Sequence, residues 1–479
     1  MNFDMYNIIL SMPEIIVLSG ACLLVILDLL LYKDQKHIIA YLSLLVIAIA
    51  AAGTWLLSGA SVPIFDRMLI IDGYSSFFKM IFYLSTFLAI LLSINYIKIE
   101  GVERGEYYIL MLFALCGMMI MASGTDLLSI YAGLELMALS IYVLTGFMQQ
   151  NGSSNEASMK YVILGAFSSG ILLYGISLVY GLTGTTQLGD IAAAIKSQES
   201  LDIALVLAII FMIAGFGFKV AAVPFHMWAP DVYEGAPTSI TAFMSVGPKA
   251  AAFAALLRVF IYALGPVSAS WTTIIAALSV ATMAVGSIIA LSQTNIKRML
   301  AYSSIAHAGY ALLGLVAGGS DGIASVMLYM LIYAFMNMGI FGTIIIMKKG
   351  NFRGENIEDY IGLSKVNKGA ALLMLIFLFS LAGIPPTAGF VGKFYIFMAL
   401  IKTGHLSLAL IGVIMSVVSA YFYIRIVMLM YMKEPVREFD LARTPANSLA
   451  LAIAVAGTII IGILPAWFLD LARSAIFPG

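Results

Sequence analysis

Stretches of roughly 20 consecutive apolar residues, the length an α-helix needs to cross the ~30 Å hydrocarbon layer of a bilayer, recur from near residue 14 to near residue 470. Only short polar breaks separate them. The composition is 62% hydrophobic and 10% charged, against roughly 25% charged for a soluble domain, so the chain cannot cover itself with a water-compatible surface. A soluble helical bundle would need polar faces at period 3.6, and runs such as LSLLVIAIAAAGTWLL and LALAIAVAGTIIIGIL have none. The fold class that remains is an all-α polytopic membrane protein. The formal net charge is zero, which argues against a nucleic-acid partner. Cys22 and Cys116 both lie in apolar stretches, so no disulfide framework is expected. The opening MNFDMYNIIL lacks the basic region and cleavage site of a signal peptide, so the first span is expected to be retained.

The apolar stretches predict fourteen spans, near 14–32, 38–58, 75–97, 106–124, 126–148, 158–183, 204–228, 237–261, 272–291, 298–318, 324–347, 371–401, 406–432 and 448–470. Lysine and arginine in alternate loops set the orientation. One set of loops holds Lys33, Lys36, Lys98, Arg104, Lys160, Lys297, Arg298, Lys348, Lys349, Arg353, Lys365, Lys368, Lys433, Arg437 and Arg443, 15 of the 25 cations. The other holds Arg67, Lys196, Arg258, Lys402 and Arg473. This bias predicts the first set in the cytoplasm and both termini in the periplasm.

Two spans carry proline at or near their middle. Pro224 in FKVAAVPFHMWAP and the pair Pro385-Pro386 in LAGIPPTAGFVGK each remove a backbone donor and clash with the preceding turn, so both helices should break there. A lysine lies within eight residues of each break: Lys219 at the first and Lys393 at the second. Broken helices beside ionisable residues are how transporters build midplane ion sites, since freed carbonyls supply polar partners that lipid cannot. The breaks are five spans apart, an odd number, so a duplicated five-helix unit would be inserted upside down. The expected organisation is N-terminal helices over 1–105, one repeat over 106–261, an inverted repeat over 272–432 and a terminal helix within 433–479.

Four ionisable residues sit near span centres: Glu135, Lys219, Lys249 and Lys393. Each costs roughly 2.5–3.5 kcal/mol at the bilayer centre, so four left unpaired would cost on the order of 10–14 kcal/mol. They must face a bundle interior, with Glu135 and Lys219 as natural partners. Desolvation disfavours a charged lysine and a nearby carboxylate favours it, so a Glu–Lys pair that can separate is a proton switch. There is no Cys/His ligand cluster, no glycine-rich phosphate loop and no Ser-His-Asp spacing, and no metal site is expected. His226 and His307 are secondary relay candidates, equally readable as hydrogen-bonded structural histidines. Lys160 and Arg425 lie near helix ends, where snorkelling is the simpler expectation. Glu14, Asp28 and Lys79, in the first three spans, read as interhelical or intersubunit polar contacts. Asp231 and Glu234 read as solvated, or as proton-gathering groups at a cytoplasmic mouth.

The segments GLELMALSIYVLTGF, EASMKYVILGAFSSGILLYG, FKVAAVPFHMWAPDVYEGAPTSITAFMSVGPKAAAFAALLRVF, LSQTNIKRMLAYSSIAHAGYALLG and LAGIPPTAGFVGKFYIF closely resemble the antiporter-like membrane subunits of bacterial respiratory complex I, the NADH-quinone oxidoreductase. The likeness runs from about residue 106 to 430. It is closest to the N type, because the chain stops after fourteen spans without the lateral helix of the L type and has Lys393 where the M type has glutamate. The resemblance implies a proton-translocating subunit of the bacterial inner membrane. In it Glu135 and Lys219 act at the first break, Lys249 is the central relay and Lys393 the terminal lysine, with Lys160 and His307 in lesser positions. It also implies that NADH, FMN, iron–sulfur clusters and quinone are bound by partner subunits, with other membrane-arm subunits linking this chain to the peripheral redox arm. An Mrp-type cation/proton antiporter or an energy-converting hydrogenase subunit would share the broken helices and buried lysines. A non-conducting scaffold should lack at least one of the four central charges.

Overall fold

The computed structural model describes residues 5–32, 35–197, 202–348, 354–435 and 441–477. Lys33, Lys349, Arg353 and Arg437, four of the loop cations used above, lie outside the described residues. Among the described residues the apolar stretches fold as helices. The N-terminal group is α1 (Met5–Leu10), α2 (Met12–Leu30), α3 (His37–Leu56) and α4 (Gly73–Ile99). A first five-span group follows: α5 (Glu106–Ser123), α6 (Leu127–Thr145), α7 (Gly152–Thr183), the surface helix α8 (Leu188–Lys196), α9 (Ile203–Val220), α10 (Trp228–Gly235) and α11 (Thr238–Leu257). The second consists of α12 (Ser268–Ala290), α13 (Ile296–Ala317), α14 (Gly319–Met347), the short α15 (Leu363–Val366), α16 (Lys368–Ala382), α17 (Ala388–Lys402) and α18 (Leu406–Met432). The chain closes with α19 (Pro445–Ile463) and α20 (Pro465–Ser474). A hairpin of β1 (Val62–Ile64) and β2 (Leu69–Ile71) lies between α3 and α4.

Thirteen of these helices are long and apolar enough to cross a membrane. The remaining predicted span, the twelfth at 371–401, is two half-helices, α16 and α17. The helices begin where a polar side chain can satisfy the first free N–H groups. Asp72 accepts from Ser75 N before α4, Asp126 from Leu128 N before α6, Asn151 from Ser153 N before α7 and Asn295 from Lys297 N before α13. Buried α11 forms the centre, with α13 and α14 nearly enclosed beside it, whereas α2, α3 and α18 turn wide apolar faces outward. That distribution inverts a soluble protein's, because lipid is the solvent for the outer face. Without a hydrophobic drive between helices, close approach matters. A Cβ on Gly117 of α5 would sit 2.5 Å from the carbonyl oxygen of Gly133 in α6, so only glycine lets the two backbones meet there.

Loops of the cation-rich set bond to each other, as Lys160 with Asp231, Lys348 with Glu100 and Lys365 with Glu434. Loops of the cation-poor set do the same: Arg67 pairs with Asp190 at 3.0 Å, while Lys402 and Arg473 share Asp321. The predicted alternation thus sorts the loops onto two faces. Two cations behave differently from the expectation of solvated loop residues. Arg258, at the start of a π-turn after α11, is 3% exposed and makes a bidentate pair with Asp72 at 3.0 and 3.1 Å, with the Tyr74 ring 4.7 Å away. Lys297 is equally enclosed.

Candidate functional site

At the first break α9 ends at Val220, and Ala221 takes a left-handed conformation (φ 60°). The freed backbone groups are then satisfied individually: Ala222 N donates to Gly217 O at 2.7 Å, Val223 N to Thr282 Oγ1 at 2.9 Å, and Trp228 Nε1 to Phe218 O at 3.0 Å. Lys219, in the last turn of α9, is buried and reaches Ser169 Oγ at 3.4 Å and Tyr142 Oη at 3.5 Å. The expected direct pair with Glu135 is not formed. The ammonium instead bonds neutral hydroxyls, and Glu135 Oε1 is buried without a hydrogen-bond partner. His226 lies half-buried in the connection between α9 and α10 and forms no hydrogen bond to Lys219 or Lys249.

Lys249 projects from the fully enclosed α11, where Nζ donates to Ser304 O at 2.7 Å and also meets Ser304 Oγ. Its ammonium lies 5.8 Å from the Tyr333 ring centre. One turn along α13, on the same face, His307 bonds through Nδ1 to Tyr329 Oη at 2.6 Å and through Nε2 to Tyr423 Oη at 3.2 Å. Tyr423 also bonds Ser303, and the rings of Tyr310 and Tyr333 flank the imidazole. His307 is therefore hydrogen-bonded between helices, and it lies between Lys249 and the second break.

At that break α16 ends at Ala382, Gly383 turns the chain at φ 84°, and α17 starts at Ala388. Lys393 Nζ donates to the carbonyls of Leu381 and Ala382, each at 3.1 Å, and to Ser416 Oγ at 2.9 Å. The last carbonyls of a helix have no intrahelical donor and carry the negative end of its dipole. Breaking the helix thus creates the acceptors that hold the lysine, and the Tyr310 ring completes the site at 4.9 Å.

On the cation-rich face a cavity of about 240 Å³ is walled by α7, α10, α13 and Glu355. Lys160 does not simply snorkel: it binds Asp231 and Glu156, both at 2.8 Å. Nor are Asp231 and Glu234 merely solvated, since Arg298 reaches them at 2.7 and 2.9 Å. Partial burial pushes the Asp231 carboxyl up, but hydrogen bonds and charge from Lys160 and Arg298 outweigh it and hold the group below its ordinary 3.8. Lys297 donates to Glu234 O at 2.6 Å and Ala236 O at 2.8 Å, closing the C-terminal end of α10. Arg425 reaches Leu291 O at 3.3 Å, as expected of a helix-end cation. Sequence reasoning passed over Lys297, Tyr233, Ser304, Tyr329 and Tyr423. The one available signal was the helical spacing that places Lys297, Ser304 and His307 near one side of span ten. Among the described residues no group of three or more His, Cys, Asp or Glu is placed to hold a metal ion.

A bundle of this span number, with two interrupted helices and lysines enclosed between them, defines a polytopic membrane protein of the ion-translocating kind. Residues 124–419 match the family described as NADH:quinone oxidoreductase/Mrp antiporter, TM, and the chain belongs to that family. NADH-quinone oxidoreductase subunit N 2 of Rhizobium meliloti (strain 1021) is 60% identical over 469 residues, covering 98% of this chain and 98% of that protein. A chain of respiratory complex I from Thermus thermophilus superposes with TM-score 0.82 at 31% identity, over 96% of this chain and 99% of that one. A chain of the Mrp complex from Dietzia sp. DQ12-45-1b reaches TM-score 0.84, over 99% of this chain and 97% of that one, but at 20% identity, a likeness of fold alone.

Proposed function

We propose that this chain is the N-type proton-translocating membrane subunit of an NADH-quinone oxidoreductase. It moves protons while electrons pass from NADH to quinone in other subunits. The observation that carries this reading is a row of buried polar groups inside a shell of apolar helices: Lys249 bonded to Ser304, His307 one turn along α13 bonded to Tyr329 and Tyr423, and Lys393 beside the Tyr310 ring. Each member is a group that gives and takes protons, and each is removed from lipid. Identity to subunit N relatives at 60%, against 20% to the Mrp chain, favours the oxidoreductase over the antiporter.

In this reading Glu135 and Lys219 form the switch at the first break, Lys249 the central relay and Lys393 the terminal site, with Lys160, His226 and His307 secondary. Residues 106–261 and 272–432 are inverted repeats, each with one broken helix. The cation-rich face lies in the cytoplasm of a bacterium and both termini in the periplasm. NADH, FMN, iron–sulfur clusters and quinone sit on partner subunits. No Gly-rich phosphate loop or Cys cluster in this chain would receive them. The test is Lys249→Ala in the assembled complex, isolated with its full set of subunits. NADH-driven proton pumping should fall at least about tenfold, a cost of ~1.4 kcal/mol in the transfer barrier; unaltered pumping would overturn the assignment.

A further inference from the structure

The buried tyrosines raise the question of how a proton reaches Lys249 at all. On α11 itself Thr238, Thr241 and Ser245 lie N-terminal to it, but none of them bonds Lys249, and Lys219 shares no hydrogen-bond partner with it among the described residues. The short helix α10 stands between Lys249 and the charged cavity on the cation-rich face. Asp231 and Glu234 line that cavity, held by Lys160 and Arg298. Tyr233, between them in sequence, is 1% exposed and turns inward, its ring 6.2 Å from that of Trp228. Its hydroxyl lies 3.5 Å from Ser304 Oγ, the same hydroxyl that Lys249 meets. Ser304 sits on α13 seven residues beyond Lys297, which lines the cavity. Two turns of helix, ~10 Å, therefore separate the cavity wall from the central lysine.

We infer that Tyr233 is the relay residue that loads Lys249 with protons from the cavity between α7, α10 and α13, passing them through Ser304. The inference deepens the proton-translocating reading and rests on it. Neutral Lys249 takes the Ser304 hydroxyl proton, Ser304 Oγ takes the Tyr233 hydroxyl proton, and Tyr233, which does not itself line the cavity, takes one from water that passes inward from it along α10. One proton enters, both hydroxyls are restored, and Lys249 becomes an ammonium. Ion pairs on both sides of α10 keep the connector in place: Lys160 and Arg298 grip its carboxylates, Lys297 closes its last carbonyls, and Thr241 Oγ1 donates to Tyr233 O at 2.9 Å. Trp228 is stacked on Tyr161 of α7 at 4.4 Å and 7°, which fixes the start of the same helix.

Tyr233→Phe removes one oxygen and keeps the ring, the Trp228 contact and every ion pair. In the assembled complex the NADH-driven pumping rate should fall about tenfold, the effect of one lost hydrogen bond on a barrier. Ser304→Ala should fall comparably, and the double variant no further than the slower single one, because both residues serve one path. The solvent deuterium isotope effect on pumping should also rise in Tyr233→Phe, a change that a packing defect would not produce. Normal pumping in Tyr233→Phe, or losses that multiply in the double variant, would overturn the connector while Lys249→Ala remained inactive. Full pumping in Lys249→Ala as well would overturn the proton-path reading itself.

Discussion

At the scale of single residues, what distinguishes the enclosed cations is the kind of acceptor each has found. Lys249 and Lys393 rest on backbone carbonyls and hydroxyls, with no carboxylate, so nothing locks a positive charge onto them. Lys79 is the opposite case: it is paired with Glu14 at 2.6 Å, as suits a structural role. Sequence alone set Lys79 apart by its place in the first three spans but could not name any of these acceptors, because they come from other helices. Asp231 permits a test of sign. Its folded-state value lies below the ordinary 3.8, so the stability it lends α10 is complete above that value and is lost as pH falls through the lower, folded one. Asp231→Asn is thus expected to speed protease cleavage near 228–237 equally at pH 7 and pH 5. The difference from the unaltered chain should begin to shrink below about pH 4, near the unfolded carboxylate value, and vanish once the pH has fallen through the lower, folded one. A difference that grew on acidification would contradict the clamp.

At the scale of elements, the two proline breaks were readable and what they would hold was not. Pro224 and Pro385-Pro386 announced breaks within a few residues of where α9 and α16 end. That Lys393 would bond back to the carbonyls freed by its own break depends on how α17 docks against α16. Gly389 sets that docking: its N donates to Ser380 Oγ at 3.0 Å, and a Cβ there would sit 1.7 Å from Ser380 O. Backbone cannot yield as a flexible side chain does. Gly389→Ala should cost roughly 1–3 kcal/mol as overpacking and lower the yield and melting temperature of the assembled complex, whereas equal stability would show that the half-helices have slack. The short α10 was likewise hidden just past predicted span seven, in what reads as a loop, because hydropathy does not reveal that the chain resumes there as a separate helical segment.

At the scale of the whole molecule, the N-terminal helices are joined to the rest partly through charge. Glu14 of α2 receives Lys79 of α4 and the Ser123 hydroxyl of α5 at 3.2 Å, deep in an apolar region. Removing one member of such a pair leaves an uncompensated charge, at ~3–5 kcal/mol, whereas replacing both with apolar residues is often neutral. Lys79→Ala should therefore reduce the assembled complex, and Lys79→Met with Glu14→Leu should recover it, both judged by thermal unfolding of the isolated complex. A single variant as stable as the double one would remove the pair from the account. The pairing falls within the interhelical contacts expected of Glu14 and Lys79.

The sequence by itself determined that this is a multi-span helical membrane protein, which loops share a face, where two helices break, and which four charges are too costly to meet lipid. Those conclusions follow from local quantities: run length, alternation of charge, and the missing N–H of proline. Tertiary structure alone decided that Glu135 and Lys219 form no ion pair, that Lys297 and Arg258 are enclosed rather than solvated, and that Ser304 and Tyr310 are what Lys249 and Lys393 meet. Those depend on which helices meet. In a chain whose helices are apolar on all sides, periodicity does not mark an inward face, so polar partners from distant spans can be identified only once the bundle is assembled.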